Sequence, residues 1–173
     1  MPPIDPVDTN WTQTLYDGNP LTIGSQAFST TRIIWTTQVA TINVNEGNSD
    51  NKHTRYDRRY LVDPGQYDIS MDIDDGGRIY AQNSAGNYVL LPAYKVGVQG
   101  NPWIVQPRTT WIWKLDTKQL GYDVNSGHAI IPIRVEAFNQ TGQWVTFLSY
   151  MQLTSAYQKE APPTDTTVLI PSS

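Results

Sequence analysis

Between residues 67 and 73 the chain alternates without a fault. Tyr67, Ile69, Met71 and Ile73 fall on one side, and Asp68, Ser70 and Asp72 on the other. Successive side chains of a β-strand point to opposite faces, so this is a strand with one buried and one wetted face. Helical periodicity is weak along the whole chain. Residues 32–44, rich in Ile, Thr, Val and Trp, read as one long strand or two short ones. Residues 78–81 and 88–91 flank Asn83-Ser84-Ala85-Gly86-Asn87, a hairpin loop, and 109–115 are rich in Trp. Residues 130–138 and 143–153 flank Asn139-Gln140-Thr141-Gly142, a second hairpin signal. Short strands with recurrent turn signals predict an all-β fold, an antiparallel β-sandwich.

The sandwich is expected over residues 11–153. Residues 1–10 carry Pro2, Pro3 and Pro6 and read as an extended N-terminal arm; residues 154–173, with Pro162, Pro163 and Pro171, read as a C-terminal arm. Each arm is either a loose terminus or a docking element in an assembly.

Composition excludes several function classes. The chain has no cysteine, which removes disulfides, thiolate metal sites and thiol nucleophiles, and two histidines leave little for a His-rich metal centre. A net charge of −4 argues against a nucleic-acid footprint. No apolar run is long enough to span a membrane as a helix. Only 16% of residues are charged, while Thr, Ser, Asn and Gln make up 52 of 173, beside 6 Trp and 10 Tyr. Neutral hydrogen-bonding groups with polar rings suit a sandwich or a sugar-facing surface.

Asp74-Asp75-Gly76-Gly77 ends the cleanest strand. Adjacent carboxylates repel unless something positive sits between them, and glycines permit a tight turn with positive φ. The motif is either a solvated acidic turn or a set of hard oxygen ligands of the kind calcium takes.

The segment from Asp63-Pro64-Gly65-Gln66-Tyr67 through Asp74-Asp75-Gly76-Gly77-Arg78-Ile79-Tyr80 resembles the core of the domain named for the N-terminal region of protective antigen, also found in flocculins, epithelial adhesins and glycosidase inserts. There a P-x-G-x-Y strand leads into DDG. Downstream, His128-Ala129-Ile130-Ile131-Pro132-Ile133-Arg134-Val135-Glu136-Ala137-Phe138-Asn139 is similar to that family's "h-p-i-r-v-e-y-f-n", residues 143–150 to its closing strand, and Ile33-Ile34-Trp35 to an early tryptophan-bearing strand. One departure is the loop at 83–87, where the family often has a second DG.

The resemblance implies a cis bond between Asp74 and Asp75, with both carboxylates on one calcium that binds vicinal sugar hydroxyls. It further implies Asn139 as an amide ligand, carbonyls around Gln140 to Gly142 completing the shell, and Trp144 stacking on a sugar ring.

The remaining features have plainer readings. The basic run Lys52-His53-Thr54-Arg55-Tyr56-Asp57-Arg58-Arg59-Tyr60 is a solvated face, or a contact with a subunit or an acidic sugar. Trp103, Trp111 and Trp113 are core and edge packing, or a rim of exposed rings. Glu136 shares a strand face with Arg134, which gives it an ion-pair role. No GxSxG, triad spacing or phosphate loop is present, so no enzyme is expected.

Two function classes follow: a calcium-dependent glycan-binding adhesion module, and a structural subunit of a large assembly that docks other subunits through its arms. An N-terminus without an export signal joins them in one expectation, a protein of a bacteriophage virion surface (tail, baseplate or capsid decoration), with a free-standing cell-surface lectin as the alternative.

Overall fold

The computed structural model describes residues 2–17, 27–35, 52–139 and 146–159, with side chains at 2–14, 53–138 and 146–159. Its described residues form twelve strands and no helix. They are Ile4–Pro6 (β1), Asn10–Asp17 (β2), Ala27–Trp35 (β3), Lys52–Val62 (β4), Gly65–Ile73 (β5), Gly76–Gln82 (β6), Tyr88–Leu90 (β7), Ala93–Lys95 (β8), Val98–Gly100 (β9), Thr109–Asp116 (β10), Ala129–Asn139 (β11) and Phe147–Ala156 (β12).

The strands make two antiparallel sheets. One runs β3-β2-β4-β11-β6-β7, with β1 also pairing β4; the other runs β12-β5-β10-β8-β9. The expected antiparallel sandwich is therefore the fold. Tyr67, Ile69, Met71 and Ile73 are all fully buried, as their alternation predicted. They meet Trp113 and Leu115 of β10 and, from the facing sheet, Tyr56, Ile79, Ile133 and Val135. Each such side chain contributes about 1.5–3 kcal/mol by leaving water.

The 83–87 loop is the predicted hairpin. Gly86 takes φ 89°, and Asn83 Oδ1 accepts from the amides of Ala85 and Asn87. The second hairpin signal is corrected. The strands on either side of Asn139-Gln140-Thr141-Gly142 lie in different sheets, β11 beside β4 and β6, β12 beside β5. Turn chemistry reports that the chain turns; it does not say which strand it turns toward.

Residues 1–10 and 154–173 meet this chain's own sheets where they are described. β1 pairs with β4 from Ile4↔Val62 to Pro6↔Tyr60, and the Tyr157 amide donates to Pro64 O. Arg59 holds the Asp8 carboxylate at 2.8 Å and keeps it below the usual carboxylate range. No helix among the described residues is long and apolar enough to cross a membrane.

Candidate functional site

Asp74 and Asp75 form the whole connection from β5 in one sheet to β6 in the other. The glycines after them serve a different purpose from the expected one. Among the described residues the glycines with positive φ are Gly86, Gly97 and Gly121, not Gly76 or Gly77. A Cβ on Gly76 would overlap the Phe138 ring and sit 2.9 Å from Ile104 O, and one on Gly77 would lie 2.8 Å from Ile73 Cγ2. Close packing of strand on strand and of loop on strand demands them.

The Asp74–Asp75 bond is trans, since no cis bond occurs among the described residues. This departs from the cis geometry that the resemblance implies. A cis bond at a non-proline residue costs about 2.5–4 kcal/mol and needs surroundings that enforce it. No cluster of three acidic or histidine side chains forms among the described residues, and the neighbouring Asp72 is engaged by the Thr110 hydroxyl and by Arg108 at 3.6 Å. Burial and the charge of Asp75 push the Asp74 carboxyl above its ordinary pKa, with Arg108 opposing.

Asn139 is the last residue of β11. It follows directly on the pairs Ala137↔Gly77 and Phe138↔Gly76, the last of the β6–β11 ladder, just as Asp75 precedes them on the other strand. Phe147↔Asp72 starts β12 on the other side of the same corner. The end of β11 and the start of β12 therefore both lie beside the 74–75 turn, at one end of the sandwich. The Asn139 side chain, Gln140 and Trp144 lie outside the described residues. The donors that can be named, two carboxylates and a strand-end amide, are hard oxygen ligands and fit a calcium-type cation.

The basic run is β4, and its alternation divides the charges. Arg58 turns inward and donates to Asp8 O and Thr9 O, stacked near Trp11 and Tyr60. Arg55 and Asp57 face outward into ion pairs. Glu136 does form an ion pair, but with Arg55 at 3.1 Å and Arg78 at 2.8 Å across the ladder, while Arg134 pairs with Asp57 at 2.8 Å. Directly opposite residues on neighbouring strands approach within about 4.5–5.5 Å at Cβ, closer than residues two apart on one strand, so cross-strand partners win.

The Arg55–Glu136–Arg78 triad lies on the face of its sheet away from the core, yet Glu136 is only 1% exposed. The segment from Pro102 to Ile104 lies over it. The Gly77 amide donates to Pro102 O at 3.2 Å, which lays Trp103 against Phe138, edge-on to His53 and 3.8 Å from the Arg78 guanidinium. Burial pushes the His53 imidazole down to about 4. Trp103, Trp111 and Trp113 are thus all buried, which settles their reading as packing residues. No local signal marks the triad, because its members are brought together only by strand pairing.

The chain matches no protein-family model and no curated protein. The likeness to the protective-antigen-type domain accordingly rests on the segments quoted above.

Proposed function

We propose that the protein is a non-enzymatic binding module whose ligand end is the corner built from Asp74, Asp75 and Asn139, holding calcium and through it the vicinal hydroxyls of a glycan. One observation carries this reading. Two adjacent carboxylates, one of them pushed toward its neutral form by burial and by the other's charge, immediately precede the Gly76↔Phe138 pair at the end of the β6–β11 ladder. A divalent cation relieves that repulsion. With the 74–75 bond trans, the carboxylates would reach the ion from successive residues of an ordinary turn, and Asn139 and the carbonyls of 140–142 are the remaining donors.

Calorimetric and thermal-shift titration with calcium tests it. Calcium at about 0.1–1 mM, the range of extracellular modules, should give saturable heat and raise Tm. Asp75→Ala should abolish both, and glycan-array binding should vanish with a chelator. No heat and no Tm shift at millimolar calcium overturns the reading.

A second reading, a subunit of a larger assembly, draws on the sandwich's edges. Val89 and Leu90 on β7, Val98 on β9, and Ile104 and Val105 beyond them are exposed. Apolar side chains on unpaired edge strands are contact surfaces. Sedimentation analysis should then show a species heavier than the 19.5 kDa chain; a monomer at all concentrations removes this reading.

A further inference from the structure

The strand register sets the residues on the outer face of the β12-β5-β10-β8-β9 sheet in rows. Tyr150 lies opposite Ser70, Ser70 opposite Ile112, Ile112 opposite Tyr94, and Tyr94 opposite Gln99. One row therefore crosses all five strands. Its neighbours along the strands, Ile69, Met71, Trp111, Trp113 and Ala93, are buried, so the row faces away from the core. Tyr150 is 37% exposed and Tyr94 is half-buried. Ser70, between the larger Ile112 and Tyr150, is only 3% exposed. The row is thus a shallow trough with a small residue on its floor and a tyrosine on either side. β8 and β12 are separated by β10 and β5, which sets the backbones of the two tyrosines about 14 Å apart at the usual spacing of neighbouring strands.

The flanking rows are charged, and their charges answer one another. On one side Lys114 lies opposite Asp68, and its Nζ donates to Asp68 Oδ1 at 2.5 Å. On the other, Asp72 accepts from the Thr110 hydroxyl and pairs with Arg108 at 3.6 Å. An ionised carboxylate has about four acceptor positions, so Asp68 and Asp72 keep room for further donors. The exposed amides of Gln99 and Gln152 add both donors and acceptors.

This chemistry selects the ligand. A polyanion would meet Asp68 and Asp72, and a wholly apolar partner would strip water from both ion pairs without replacing its hydrogen bonds. A neutral glycan supplies hydroxyls for the carboxylates and amides, and apolar ring faces for the tyrosines. We propose that this trough binds a neutral, extended glycan chain, which lies across the strands with a sugar ring against each tyrosine. The site is on the face of the sheet and involves none of Asp74, Asp75 and Asn139, so it works without calcium.

The probe is cellotetraose, titrated by calorimetry in EDTA, which keeps calcium from the corner. It should saturate at one site per chain. Cellobiose, too short to reach both tyrosines, and the tetramer of β-1,4-linked glucuronate, repelled by Asp68 and Asp72, should each bind about tenfold more weakly or worse. Tyr94→Ala and Tyr150→Ala should each weaken cellotetraose about tenfold, the loss of one ring contact. Tyr150 stands exposed on the edge strand β12, so its variant decides the matter if Tyr94→Ala fails to fold. Four results would overturn the proposal: cellobiose or the uronate binding as well as cellotetraose, cellotetraose binding unchanged in Tyr150→Ala, no saturation by about 10 mM, or binding that appears only when calcium replaces EDTA. The last would assign the glycan to the Asp74–Asp75 corner instead.

Discussion

Glu136→Gln is the sharpest probe of how this sandwich tolerates charge outside its core. The substitution keeps the volume and one acceptor oxygen, removes the negative charge and sets an NH2 donor in place of the other oxygen. Glu136 is 1% exposed and is flanked by Arg78 at 2.8 Å and Arg55 at 3.1 Å. Removing one partner of a buried ion pair costs about 3–5 kcal/mol, because the other charge stays desolvated and unanswered. Arg55 has 21% of its side chain in contact with water, which screens part of its share, so the lower end applies, about 3 kcal/mol. For a chain of this size that is a fall in Tm of about 6–12 °C. Urea unfolding should show a lower midpoint at unchanged slope, the mark of lost stability in an unchanged fold. Replacing the whole triad, Arg55→Met with Glu136→Leu and Arg78→Met, removes all three of its charges at once and should restore the wild-type midpoint. A loss below about 1 kcal/mol in Glu136→Gln, or a triple variant no better than the single one, refutes the reasoning.

Three further outcomes follow from particular contacts. Burial lowers the His53 pKa to about 4 from its ordinary 6.5, so the unfolded chain binds the extra proton first as pH falls. The stability tied to it is complete above 6.5 and lost as pH falls toward 4, about 2 kcal/mol between pH 7 and pH 5; urea midpoints at both pH values should differ less by that amount in His53→Gln. Gly76→Ala drives a methyl into the Phe138 ring and should cost about 1–3 kcal/mol by thermal melting, whereas Gly127→Ala meets open space and should leave Tm unchanged or slightly higher. Val96 turns the β8–β9 hairpin at φ 48°, 94% exposed, ahead of Gly97 at φ 77°. Both central residues of that two-residue turn are left-handed, a position for asparagine, so Val96→Asn should stabilise by about 1 kcal/mol in the same melt.

Much of the fold was legible in the chain itself. The 67–73 alternation, the Asn83–Asn87 loop and the Trp-rich strand at 109–116 all stand where their patterns put them. The acidic turn at Asp74 and Asp75 was legible as a motif. What the motif could not convey was why its glycines are there, since the Phe138 ring and Ile104 O that exclude a side chain at Gly76 are 62 and 28 residues away in sequence.

The limit between the two levels is physical. Which face a residue takes in a strand is set by its own backbone, so alternation reveals it from neighbours alone. Which strand lies alongside is set by packing of the whole core, and it leaves no mark on a short stretch of chain. The sequence by itself therefore determined that this is a β protein, which face of its cleanest strand is buried, and where an acidic turn ends that strand. Only the tertiary structure decided that β11 and β12 part into different sheets and that Glu136 answers Arg55 and Arg78 rather than Arg134. It alone decided that a buried arginine opens onto a cleft between the sheet edges. Each of these depends on residues far apart in the chain meeting across a ladder or over an edge.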